Sequence, residues 1–181
     1  MKNYLSLGFR LALFVSLVTA MLSVVHLLTK DAIADRQEKE GQAARQQLIS
    51  GTFTKMPQEC IPAEELATVT AVYRGEENGI VTGYCFDVTV KGYNTIQMIV
   101  GINPDLTITG IKILSQSETP GIGSKAVDES GAFLSQFKGL SSRNLESVTM
   151  ISGATMSSGG IRTGVESAVR TCRGILEGKG E

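Results

Sequence analysis

The sequence predicts an α+β protein: an antiparallel β-meander covered by helices, preceded by one N-terminal transmembrane helix. Three observations carry that prediction. Residues 11–28 are an uncharged apolar run of membrane-spanning length. Between Ala67 and Leu114 the hydrophobic pattern alternates as strands do. Near the C-terminus, Ile161, Val165, Ala168, Val169, Cys172 and Leu176 return to helical spacing.

The apolar run begins with residues 5–9, ahead of Arg10, and continues through Met21 to Leu28, well past Ala20. A cleaved signal peptide has a shorter apolar region closed by a small-x-small site, so the run reads as an uncleaved anchor in the cell membrane. His26, near one end, fits the membrane interface. Lys2 and Arg10 precede the span and Lys30, Arg36, Lys39 and Arg45 follow it, so charge counting does not orient it. Long domains translocate largely regardless of charge. The expected topology therefore places a short N-terminal tail in the cytoplasm and the C-terminal domain outside.

Residues 29–49 are rich in Ala, Gln, Glu, Lys and Arg and predict a polar helix leaving the anchor, and 51–62 break that pattern. The expected division is thus 1–28 (tail and anchor), 29–62 (juxtamembrane helix and linker) and 63–181 (extracytoplasmic domain). Within the last, Val69, Ala71 and Tyr73 alternate with polar residues, Asn78-Gly79 marks a hairpin, and 80–90 continue as strand. Residues 95–102 form a third strand, Asn103-Pro104-Asp105 a turn, and 106–114 a fourth. Two helices, 124–137 (interrupted by Gly131) and 158–177, are available to cover the apolar face, and a short strand at 147–151 precedes the second.

Composition removes several function classes. The 181 residues carry a net charge of −1 with 19% charged residues, and no basic stripe or aromatic platform points to nucleic acid. The one histidine and the three widely spaced cysteines, Cys60, Cys85 and Cys172, exclude the usual zinc spacings and a Ser-His-Asp triad. Cys60 and Cys172 are either a disulfide pair or free buried thiols.

Two segments carry candidate chemistry. In Ile151-Ser152-Gly153-Ala154-Thr155-Met156-Ser157-Ser158, small neighbours leave the Thr155 hydroxyl accessible just before a helix. If Thr155 opens that helix, free backbone amides and the helix dipole offer a seat for a phosphate. The ordinary alternative is a Ser/Thr N-cap. In Glu118-Thr119-Pro120-Gly121-Ile122-Gly123, Pro120 fixes a torsion while Gly121 and Gly123 permit close approach to a flat ligand. The alternatives there are a plain Pro-Gly turn and a surface-exposed Glu118.

Taken together, ETPGIG after a meander, SGATMSS before a final helix, the N-terminal anchor and the Lys91-Gly92-Tyr93 turn resemble a known family. It is the FMN-binding domain family shared by the G subunit of Rnf-type ion-translocating ferredoxin:NAD oxidoreductase complexes and the C subunit of sodium-translocating NADH:quinone reductases. The resemblance implies FMN joined through a phosphoester to Thr155 by a flavin transferase that uses FAD. It further implies that Ser152, Gly153, Ala154, Ser157 and Ser158 surround the attachment, and that Glu118, Thr119, Gly121, Ile122, Gly123 and Ser124 form a wall against the isoalloxazine. Lys125 is either a partner for reduced flavin or a solvated lysine. The implied function is an electron relay with no catalytic acid or base and no metal of its own. Its implied partners are the membrane and iron–sulfur subunits of a complex coupling ferredoxin:NAD electron transfer to Na⁺ or H⁺ movement. The quinone-reductase C subunit is the alternative, those chains usually being longer. A non-redox membrane-tethered interaction module and a stand-alone flavoprotein are the readings from outside that class. The chain departs from the family pattern at Thr149, where an Asp commonly lies six residues before the modified Thr.

Overall fold

The computed structural model describes residues 2–121 and 123–178, and the chain divides into two compact units, residues 1–40 and 41–181. Helix α1 (Lys2–Leu48) is continuous, so the apolar run and the polar juxtamembrane stretch belong to one helix. In the first unit Phe9, Leu11, Leu13, Phe14, Val15, Leu17 and Val18 are all uncovered. A helix apolar on every side needs lipid or other helices around it, and α1 is long and apolar enough to cross a membrane. The hydroxyls of Thr19, Ser23 and Thr29 donate to the carbonyls of Val15, Thr19 and Val25, each at 2.9 Å. These polar groups are therefore satisfied inside the helix, as an apolar surrounding requires.

The second unit is built on a five-stranded antiparallel sheet in the order β1-β2-β3-β4-β5. The strands are β1 (Thr52–Lys55), β2 (Val69–Glu77), β3 (Ile80–Lys91), β4 (Thr95–Ile102) and β5 (Ile108–Gln116). Asn78 (φ 54°) and Gly79 (φ 79°) make the two-residue turn between β2 and β3 that the Asn-Gly pair predicts. The sheet thus has one strand more than the four expected. β1 lies in the stretch read as a break, because it is an edge strand of four residues with only Phe53 half-buried, too short to alternate visibly.

The sheet's two faces are covered differently. On one, Tyr84, Phe86, Val88 and Val90 of β3 and Ile96, Met98, Val100 and Ile102 of β4 are buried with Ile161, Val165, Ala168, Val169 and Cys172 of helix α3 (Thr155–Glu177). Full burial of each large apolar side chain contributes about 1.5–3 kcal/mol. α3 approaches β3 closely because of two glycines. A Cβ on Gly164 would lie 2.6 Å from both Met98 and Val90, and one on Gly160 would lie 2.7 Å from the Lys91 carbonyl oxygen. On the other face sit Leu48 and Ile49, at the end of α1. There Gly75 pairs with Gly83 and Gly101 with Gly110, and a Cβ on any of the four would run into Ile49 or Leu48. Arg45 is buried beside them, bonded to Asp87 Oδ2 at 2.8 Å and stacked 3.6 Å above the Tyr73 ring.

Three local expectations are corrected. The helix expected at 124–137 is a 3₁₀ turn (Gly123–Lys125) and one helical turn, α2 (Ala132–Ser135). Between them Asp128 folds the chain back, accepting from the Ser130 amide at 3.0 Å and its hydroxyl at 2.6 Å. The strand expected at 147–151 is a 3₁₀ turn (Leu145–Ser147) followed by extended chain. Its Thr149 backbone bonds the Gln136 side chain rather than a neighbouring strand. α3 begins at Thr155 rather than at Ser158. All three cysteines are free, so Cys60 and Cys172 are not paired, and burial pushes the Cys85 and Cys172 thiols up to about 12.

Candidate functional site

The entry into α3 is a tight turn in which the Ala154 amide donates to the Ile151 carbonyl at 3.0 Å. Gly153 sits at φ 80°, the left-handed region such a turn needs and glycine adopts freely. Ala154 occupies the N-cap position and has no side-chain acceptor. The Ser/Thr cap of the ordinary reading is therefore absent, and the first-turn amides keep their capacity for an anion. The first bond within the helix runs from the Ser158 amide to the Ala154 carbonyl, at 2.9 Å.

The hydroxyls around this turn divide cleanly. Ser158 is buried and donates to the Ala154 carbonyl at 2.8 Å. Ser157 is buried and donates to Glu118 Oε2 at 2.7 Å. Thr155 is exposed, and its hydroxyl makes no hydrogen bond among the described residues. Ser152 is exposed too, one turn before the helix.

The Ser157–Glu118 bond joins the two informative segments, which lie 39 residues apart. Glu118 is 5% exposed, so it is not a surface charge. Its Oε1 accepts from the Asn94 amide at 2.9 Å, and the Asn94 side chain donates to the Ser117 carbonyl at 2.7 Å. The turn after β3, the loop after β5 and the first turn of α3 are thereby drawn to one carboxylate. The loop is held internally as well: Ser124 Oγ accepts from the Gly121 amide at 2.8 Å, and Gly121 stands at φ 81°.

These segments enclose a groove of about 480 Å³, within the ordinary size of a small-molecule site. Of the expected residues, Glu118, Thr119, Gly123, Gly153, Ala154, Thr155 and Ser157 line it. Gly121, Ser124, Ser152 and Ser158 do not, and Ile122 lies outside the described residues. Tyr93 and Met156 complete the lining, 66% and 65% exposed. Neither is among the residues expected from sequence: Tyr93 follows Gly92 and Met156 follows Thr155, but nothing local shows that either side chain is exposed on a groove. Thr149 is exposed and away from the groove, and Lys125 is exposed and does not line it. A larger hollow, about 920 Å³, runs along the C-terminal half of α3 among residues such as Asp105, Ser142, Glu166 and Arg173. It contains neither segment, and its Arg170 and Arg173 are engaged by Glu65 and Ser142.

Known proteins match along the same lines. Residues 92–170, which contain all three groove-forming segments, match the family model of the FMN-binding domain. Residues 1–48, which end where α1 ends, match the model of the RnfG N-terminal region. In both its N-terminal helix and its flavin-type domain the chain resembles RnfG proteins. The G subunit of the Na⁺-translocating ferredoxin:NAD⁺ oxidoreductase complex of Acetobacterium woodii is 26% identical over 200 residues, covering 96% of this chain and 94% of that protein. The G subunits of the ion-translocating oxidoreductase complexes of Vibrio atlanticus and Pasteurella multocida are 34% and 33% identical. Their matches cover 65% and 64% of this chain but only 60% and 61% of their own lengths. The groove suits the cofactor of an RnfG-type FMN-binding domain. It offers an uncapped helix N-terminus for a phosphate, open space above Gly153, where a Cβ would meet nothing within 4 Å, and exposed apolar side chains for a flat ring.

Proposed function

We propose that this chain is the membrane-anchored flavoprotein G subunit of an Rnf-type ion-translocating oxidoreductase complex, with FMN held covalently on Thr155. The observation that carries the attachment is the accounting of hydroxyls. Ser157 and Ser158 are spent on Glu118 and Ala154, while Thr155 is exposed, unbonded and in the groove at the uncapped end of α3. Ser152 is exposed but outside the groove. A flavin transferase joins the Thr155 oxygen to the FMN phosphorus of FAD, breaking the pyrophosphate link and releasing AMP and the hydroxyl proton. FMN then supplies reversible uptake of electrons. The chain's own part is to seat the phosphate at the first-turn amides, to hold the ring against Glu118, Thr119 and Gly123 and to leave the groove open toward partner subunits.

In this reading residues 63–181 form the flavin domain outside the cytoplasm, and a covalent bond prevents loss of the cofactor by dilution there. Bound FMN would let this domain relay electrons between redox centres of neighbouring membrane and iron–sulfur subunits, in a complex coupling ferredoxin:NAD transfer to Na⁺ or H⁺ movement. Near-complete mutual coverage with the Acetobacterium protein favours this over the longer quinone-reductase C subunit. Thr149 does not line the groove, so its departure from the family pattern bears on recognition by the transferase rather than on the flavin wall.

Co-expression with a flavin transferase followed by a denaturing gel tests the attachment. The wild-type band is expected to fluoresce under ultraviolet light, Thr155→Ala to be dark, and Ser152→Ala to remain fluorescent. A dark wild-type band contradicts the proposal. Protease accessibility in intact cells against inverted vesicles is expected to expose the domain only in the former.

A further inference from the structure

The carboxylate of Glu118 has a role beyond joining segments. It is 5% exposed and lines the same groove as Thr155. Each of its oxygens accepts one hydrogen bond, from the Asn94 amide and the Ser157 hydroxyl. Among the described residues no Lys or Arg pairs with it. The carboxylate is also immobilised sterically: a Cβ on Gly92 would lie 2.8 Å from Oε1, and one on Gly123 would collide with Oε2. Both glycines thus make room for this side chain. A buried carboxylate with no Lys or Arg paired to it among the described residues acts on whatever shares the groove more strongly than a solvated one would.

We propose that Glu118 is a fixed negative charge that holds the reduction potential of the bound flavin down. The inference rests on the FMN reading above. Adding electrons to the flavin adds negative charge, and a neighbouring carboxylate opposes it as any like charge does. The two hydrogen bonds set how much of that charge the groove feels, because donors to an ionised oxygen draw its charge toward themselves.

The geometry supplies a substitution that removes the charge and keeps the join. In Glu118→Gln the amide oxygen still accepts from Asn94, and the amide NH₂ faces Ser157 Oγ, a hydroxyl that also accepts. The experiment is a spectroelectrochemical titration of the full chain, loaded by co-expressed transferase and held in detergent, with in-gel fluorescence as the measure of loading. Glu118→Gln is expected to load as wild type does and to titrate at a more positive potential. Ser157→Ala, which keeps the carboxylate but strips one donor from it, is expected to shift by a smaller amount in the opposite direction. A loaded Glu118→Gln with unchanged or more negative potential overturns the proposal and leaves the attachment to Thr155 standing. Should Glu118→Gln take up no flavin, Ser157→Ala decides, and a potential equal to wild type or above it overturns the proposal. A dark wild-type band removes the attachment and this inference together.

Discussion

The two faces of the sheet are closed by opposite arrangements of bulk and space. Toward α3 the sheet is bulky and the helix carries the gaps: Gly160 and Gly164 let it lie against Val88, Val90 and Met98. On the other face the sheet carries the gaps, Gly75, Gly83, Gly101 and Gly110, and the end of α1 brings the bulk, Leu48 and Ile49. The first arrangement is nearly all apolar, with the core concentrated there; the second closes over a buried ion pair, Arg45 with Asp87. The difference separates two tasks. Gly160 and Gly164 set how closely α3, and with it the Thr155 turn, approaches the Lys91–Asn94 turn and Glu118. The glycine trough and Arg45 fix the end of the N-terminal helix to the sheet that carries the site.

Arg45→Ala is expected to weaken the α1 face the most. It leaves Asp87 without its guanidinium and Tyr73 without its stacked cation. Removing one partner of a buried pair costs about 3 kcal/mol, and Asp87's 20% exposure keeps the loss at the lower end of the range. Chemical denaturation of the detergent-solubilised protein measures it, and a loss under about 1 kcal/mol would mean that apolar contact alone closes this face.

On the opposite face, two glycines of α3 differ in the space around them. Helix propensity favours Ala over Gly by about 1 kcal/mol. Gly159 has nothing within 4 Å of an added Cβ, so Gly159→Ala is expected to stabilise by up to that amount. Gly164→Ala adds a methyl against Met98 and Val90, where overpacking costs about 1–3 kcal/mol, and it is expected to destabilise. Val90→Ala in the same chain should recover part of that loss. Equal effects at positions 159 and 164 would contradict the close packing of α3 on β3.

The smallest effect concerns Glu65, at the start of the meander, which accepts from Arg170 at 2.6 Å. Burial pushes its carboxyl up, but hydrogen bonds from Arg170 and Ser167 and the charge of Arg170 outweigh burial and leave it below the ordinary carboxylate range. A carboxyl lowered in the folded state contributes stability above its unfolded value, about 4.3, and loses it as pH falls through the lower folded value. Glu65→Gln should therefore lower stability at neutral pH and flatten the fall on acidification. An unchanged acid profile would count against the pair.

What was legible in the sequence was local. The apolar run, the Asn78-Gly79 turn, the alternation of β2 to β5 and the helical face of α3 each follow from neighbours a few residues apart. Thr155 and its small neighbours were legible for the same reason. The rest depends on distant partners. β1 exists because β2 pairs with it, with Phe53 opposite Gly75. Residues 147–151 are not a strand, because the Gln136 side chain takes the Thr149 backbone bonds. The expected helix at 124–137 yields to the Asp128 turn and to Glu129, which accepts from Lys112 and the Ile113 amide of β5. Ser157 gives no local sign that its hydroxyl is spent on a carboxylate 39 positions earlier. Nor do Gly92 and Gly123 show in sequence which side chain they make room for.

In the proposed function one hydroxyl, that of Thr155, carries the flavin. Trypsin cutting after Arg143 and Arg162 releases the peptide 144–162, which holds Ser147, Thr149, Ser152, Thr155, Ser157 and Ser158 together. Tandem mass spectrometry of that peptide, from protein loaded by a flavin transferase, locates the attachment. FMN mass added to Thr155 and to no other residue is the predicted result. An unmodified peptide, or the FMN mass on Ser152 or any other of these hydroxyls, would contradict it.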